Sequence, residues 1–127
     1  MIDHSGLSVS DFDSATKFYD QALEPLGASQ LYVVPKEYTG GTNVCGYGRD
    51  RPTFWLHEDK AQNPPLHFAF SAENRLQVEA FYKAALAAGG RDNGAPGVRT
   101  EYHEHYYGAF VLDPDGNNIE AVCHAPE

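Results

Sequence analysis

His4-Ser5-Gly6-Leu7-Ser8 returns 63 residues later as His67-Phe68-Ala69-Phe70-Ser71, and the same shift lays Phe18-Tyr19 on Phe81-Tyr82, Ala22-Leu23 on Ala85-Leu86 and Gly27 on Gly90. Seven identities fall among the positions 4–27 so aligned, where chance would give about one or two, so the chain reads as two copies of one module. Each copy opens with a strand and continues as a helix. In the first, Ile2–Val9 is strand-like, Ser10-Asp11-Phe12-Asp13 supplies a hydroxyl cap with a carboxylate three residues on, and Ala15, Phe18, Tyr19, Ala22, Leu23 and Leu26 form one apolar stripe ending at Gly27. In the second, Leu66–Ala72 is the strand, Asn74 with Gln77 the cap, and Val78, Phe81, Tyr82, Ala85 and Ala88 the stripe.

Three strand-like stretches follow each helix: Ala28–Val34, Thr42–Tyr47 and Thr53–Glu58, then Val98–Tyr102, Tyr106–Leu112 and Asn118–His124. Asp113-Pro114-Asp115-Gly116 is a tight turn between the last two. The expected fold is α+β: two paired βαβββ modules forming a cupped, largely antiparallel eight-stranded sheet, with the helices on its convex side. A single domain spans 1–127, with module 1 at 1–58, a linker at 59–65 that holds two prolines, and module 2 at 66–127.

The 127 residues carry 18 acidic and 9 basic side chains, a net charge of −9. A chain of this length buries about 65–70% of the surface its unfolded form exposes, so it needs no metal or disulfide merely to fold. The scattered Lys and Arg argue against nucleic acid and anionic membranes, leaving a small molecule as the expected partner. No apolar run is long enough to span a bilayer and Met1-Ile2-Asp3-His4 is unlike a signal peptide, so a cytoplasmic location is expected. Cys45 and Cys123 stand in no ligand or redox spacing and are read as packing residues.

Strand alternation sets which side chains share a face. Leu7, Val9, Phe68 and Phe70 are the apolar set that the helices require, which leaves His4, Gly6 and Ser8, and His67, Ala69 and Ser71, on the concave side. On the last strand Asn118, Glu120, Val122 and His124 share one face and Ile119, Ala121 and Cys123 the other. Two histidines and a carboxylate are a ligand set for a divalent metal with coordination positions left open to substrate. The same spacing also suits hydrogen-bonded structural histidines and a solvated glutamate.

Three segments carry a family resemblance: His4 to Tyr19 with its Ser-Val-Ser-Asp-Phe-Asp core, Leu66-His67-Phe68-Ala69-Phe70-Ser71, and Gly108 to Val122 with Asp-Pro-Asp-Gly-Asn-Asn-Ile-Glu. Together they resemble the vicinal oxygen chelate superfamily, which comprises glyoxalase I, extradiol dioxygenases, fosfomycin-resistance enzymes and bleomycin-resistance proteins. The resemblance implies His4, His67 and Glu120 as metal ligands, with Glu120 also catalytic, and a divalent cofactor such as Ni, Zn, Co, Mn or Fe. It leaves the fourth ligand position open: the ungapped shift pairs Glu120 with His57, and a two-residue gap puts Trp55 there. It further implies a homodimer. The run Tyr102-His103-Glu104-His105-Tyr106-Tyr107 offers His103 or His105 as a general base, and Trp55, Tyr106 and Phe110 as pocket walls, although aromatics at a strand entrance also serve packing. Three functions follow in order: a glyoxalase-like, metal-dependent lyase or isomerase acting on vicinal oxygens; a metal-free protein of bleomycin-resistance type that sequesters a small molecule; and, less well matched by so short a chain, a dioxygenase.

Overall fold

A computed structural model describes all 127 residues. Both modules have the expected βαβββ order: β1 (Ser5–Val9), α1 (Phe12–Leu23), β2 (Ser29–Val33), β3 (Val44–Gly48) and β4 (Phe54–Glu58), then β5 (His67–Ser71), α2 (Arg75–Ala87), β6 (Arg91–Val98), β7 (Tyr107–Leu112) and β8 (Asn118–Cys123). Hydrogen bonding divides the eight strands into two four-stranded sheets, ordered β1-β4-β3-β2 and β5-β8-β7-β6. The first and last strands of each module run parallel and the other pairings are antiparallel.

The helices form where the apolar stripes require them. Ala15, Phe18, Tyr19, Ala22 and Leu23 of α1 are buried, as are Val78, Phe81 and Ala85 of α2, and all join one core with Leu7, Val9, Leu56, Val111 and Ile119. Each fully buried Leu, Ile or Phe side chain contributes about 1.5–3 kcal/mol of transfer free energy. The two modules of the chain meet through this core: α1 packs on α2, and the Phe54 ring of β4 lies 5.1 Å from those of Phe68 and Phe70 on β5. The repeat-related glycines serve different ends. Gly27 closes the turn after α1 at φ 79°, which a side chain resists, whereas a Cβ on Gly90 would lie 2.4 Å from Val111 and 2.7 Å from Phe18.

Two local expectations need correction. The cap of α1 is Asp11, whose side chain accepts from Ser14 N–H at 3.1 Å, not Ser10. Ser10 is drawn away because its N–H and hydroxyl both donate to Asp115, at 2.9 and 2.5 Å, in the turn of the other module. The sixth strand is Arg91–Val98, not Val98–Tyr102. Gly94-Ala95-Pro96-Gly97 reads as a turn, yet at a sheet edge a proline need not donate and the extra residues are absorbed by shifts in register around Gly94 and Gly97.

Cys45 and Cys123 are free and buried, and burial pushes the Cys45 thiol up to about 11. It is protonated at neutral pH and is no nucleophile. No helix is long and apolar enough to cross a membrane.

Candidate metal and substrate site

The concave face of the second module holds a polar cluster. Ala69 of β5 sits opposite Glu120 of β8, and His67 lies two residues before Ala69 on the same face, so its imidazole reaches the carboxylate: Nε2 is 2.9 Å from Glu120 Oε1. Glu120 is 1% exposed, whereas His67 is exposed to solvent. A charge this deeply buried has to be compensated. Its second oxygen, Oε2, accepts a hydrogen bond from the Tyr106 hydroxyl. Burial, followed by the Glu120 carboxylate, raises the Tyr106 phenol, so it stays a donor at neutral pH.

Tyr106 precedes β7, and its ring is fixed from three sides. Tyr102 lies 4.7 Å away, and His103 and His124 stand edge-on at 5.5 and 5.3 Å. The two histidines are themselves bonded, His103 Nε2 to His124 Nδ1 at 2.8 Å, while His103 Nδ1 accepts from the His105 backbone N–H at 3.0 Å. An accepting ring nitrogen carries no proton, so in this geometry His103 donates to His124 through Nε2. His103 therefore braces Tyr106, and the His105 side chain turns to exposed Glu104 at 3.3 Å. Phe110, opposite Glu120 across the β7–β8 ladder, completes a wall with its ring 6.3 Å from that of His67.

The first module presents a different set. His4 lies just before β1, exposed, with Nδ1 2.8 Å from Asp3, which also pairs with Arg51 at 3.2 Å. His57 sits opposite Ser8 with Nε2 3.0 Å from its hydroxyl. The register decides which residue matches Glu120. Gly6 is the repeat mate of Ala69 and faces Trp55, so Trp55 stands where Glu120 stands in the other sheet and the two-residue gap is the correct alignment. Its indole lies over Gly46, where a Cβ would come within 2.9 Å of the ring. His67 and Glu120 thus come together in one chain and His4 does not join them. No group of three or more His, Cys, Asp or Glu side chains placed to hold a metal exists within the single chain.

The edges of β1 and β5 left unpaired within the chain lie along one open groove of about 840 Å³. Phe54, Phe68 and Phe70 line it, with Arg49 and Arg51 beside Asp3 and Ser5, and His67 at β5. Arg49 donates to the Ser71 carbonyl at 2.6 Å.

Sequence reasoning missed His124 as the partner of His103, although His124 shares the parity of Glu120 on the last strand. Tyr106→Phe should leave a buried Glu120 oxygen without its donor and cost about 1–3 kcal/mol, read as a lower urea midpoint at unchanged slope.

The chain belongs to the glyoxalase/bleomycin resistance protein/dioxygenase superfamily, whose family model matches residues 1–121. It is similar to a glyoxalase/bleomycin resistance protein from Albidiferax ferrireducens T118, at 29% identity and TM-score 0.75, covering 96% of this chain and 97% of that one. Protein YqjT of Bacillus subtilis (strain 168) is 28% identical over 132 residues, 94% of this chain and 96% of that protein. The fold is shared with the fosfomycin resistance protein FosX from Listeria monocytogenes, in a structure complexed with Mn(II) and sulfate, at 14% identity, TM-score 0.69 and coverage of 96% and 90%.

Proposed function

We propose that this protein is a metal-dependent enzyme of lyase or isomerase type acting on a small substrate with vicinal oxygens, and that it works as a homodimer. The observation that carries this reading is the His67–Glu120 pair, a 2.9 Å contact between an exposed imidazole and a buried carboxylate on an open concave face. An imidazole nitrogen and a carboxylate oxygen side by side are of the donor types that hold a divalent cation. The third would be His4 of the partner subunit, brought in when a second copy sets its β1 edge against β5. Both edges are unpaired within the chain, and dimerisation would cover them. The Mn(II) complex of FosX supports a divalent ion in this fold.

When bound, the cation would act as a Lewis acid on the substrate's adjacent oxygens. The chain's own residues do the rest. Tyr106 fixes one Glu120 oxygen and leaves Oε1 directed at His67, so the carboxylate is the group able to take or return a proton at the substrate. Phe110 forms an apolar wall next to His67, and Trp55 forms the corresponding wall of module 1.

A second reading, a metal-free protein that sequesters a small molecule, is favoured by one observation: a single chain gathers only two of the three donors. Metal content after purification without chelator separates the two. The enzyme reading expects about one divalent ion per chain and its loss in both His67→Ala and Glu120→Gln, together with turnover of a hemithioacetal, epoxide or catechol by the loaded protein. Equal, substoichiometric metal in all three proteins favours sequestration.

A further inference from the structure

Arg99 is a half-buried cation with no carboxylate partner, in a chain of net charge −9. Arg51 and Arg75 form ion pairs, with Asp3 and Glu127; Arg49, Arg91 and Arg99 form none, and of these three Arg99 alone is half-buried. The protein nevertheless builds a seat for it. The bulged segment of β6 leaves Gly94 and Gly97 beneath the guanidinium, and a Cβ at either would come within 3.2 or 3.0 Å of its nitrogens. One nitrogen, Nη2, donates to the Ala95 carbonyl at 2.7 Å, and the group lies 5.4 Å over the Phe110 ring. Phe110 pairs with Glu120 across the β7–β8 ladder and its ring neighbours that of His67, so Arg99 is on the same concave face. A guanidinium has five N–H donors, and the protein takes up one of them.

We infer that Arg99 is the anion-recognising residue of this face, and that the substrate carries an anionic group, a carboxylate or phosphonate, beside the oxygens that reach His67 and Glu120. The inference rests on the reading that this face is the substrate site. The guanidinium fork fits such groups with two parallel hydrogen bonds, and its fixed position over Phe110 lowers the side-chain entropy lost on binding. An acidic protein repels anions at long range, so local recognition by a placed arginine is what admits one. A cationic small molecule, which net charge alone would suggest, meets a like charge at this wall.

The test uses acetate and methylphosphonate, titrated into metal-free full-length protein and followed through the arginine Nε–H signals by NMR. The expected result is a saturating shift at Arg99 and at the amides of Gly94 and Gly97, weakened at least tenfold in Arg99→Gln. Arg99→Lys retains the charge and should bind with an intermediate loss, which keeps the test valid if the Gln variant folds poorly. Arg91→Gln should bind as the parent does. Saturation that survives Arg99→Gln overturns the inference. So does a non-saturating shift of equal size at Arg91, which marks adventitious ions only. If the protein binds no divalent cation yet the Arg99-dependent saturation is present, the metal reading falls and the anion site stands.

Discussion

A heterodimer of His4→Ala and His67→Ala subunits should bind a divalent cation that neither homodimer retains. Each homodimer has lost a ligand from both of its sites, and since removing even an outer-shell partner costs 10–100-fold in metal affinity, losing a ligand should cost about 100-fold or more. If the site is shared between subunits, the heterodimer has one site with both lesions and one with none. Co-expression with two different tags and sequential affinity steps would isolate that species, and it should hold about half the metal of the parent dimer, as the two-fold symmetry requires. Sites contained within one chain give the opposite result, because every chain then carries one lesion and none is intact. The prediction follows from geometry already described: His67 and Glu120 converge, His4 stays with Asp3, and β1 and β5 each leave an edge unpaired.

The repeat and the strand parity made the two modules readable before any coordinates, and the same parity placed His67 with Glu120. Both signals are local: a period of two along a strand and a stripe along a helix survive any tertiary rearrangement. What escaped was set by register and by loops. The ungapped shift of 63 pairs His57 with Glu120, but β1–β4 pairing puts His57 opposite Ser8 and Trp55 opposite Gly6, since the connections inside the two modules differ in length by two residues. Gly94-Ala95-Pro96-Gly97 carries the composition of a turn and the geometry of a bulged edge strand, so Arg99 had no apparent face. The sequence offers His103 as a general base, and its bonds to His105 and His124 depend on how the chain folds back between β6 and β7, which no spacing encodes. The Asp-Pro-Asp-Gly-Asn segment was the most telling of the family's motifs, and its side chains serve the architecture.

Asp113→Ala should be among the most destabilising substitutions in the chain, at about 3–5 kcal/mol, because it strips several buried donors of one acceptor. Asp113 is 2% exposed and accepts from the Tyr19 hydroxyl at 2.6 Å, from Asn117 N–H at 2.8 Å and from Asp115 N–H at 3.0 Å. The Asn117 side-chain amide also donates to both carboxylate oxygens, and Asn117 Oδ1 in turn accepts from Leu66 N–H, where β5 begins. Tyr19 belongs to α1 and lies between the rings of Phe18 and Phe54, so the carboxylate ties the last turn of module 2 to the helix of module 1. Tyr19→Phe removes one donor and leaves the carboxylate its others, so it should cost less, about 1–2 kcal/mol, and the double variant should be less unstable than the sum of the singles. Burial, and next the Asp113 charge, hold the Tyr19 phenol well above its ordinary 10.0, so the unfolded chain surrenders this proton first. The stability tied to that proton is full below pH 10 and declines as the pH climbs toward the folded-state value. Urea unfolding at a series of alkaline pH values should therefore show the parent losing stability faster than Tyr19→Phe, and parallel curves would assign the hydroxyl no part in holding the modules together.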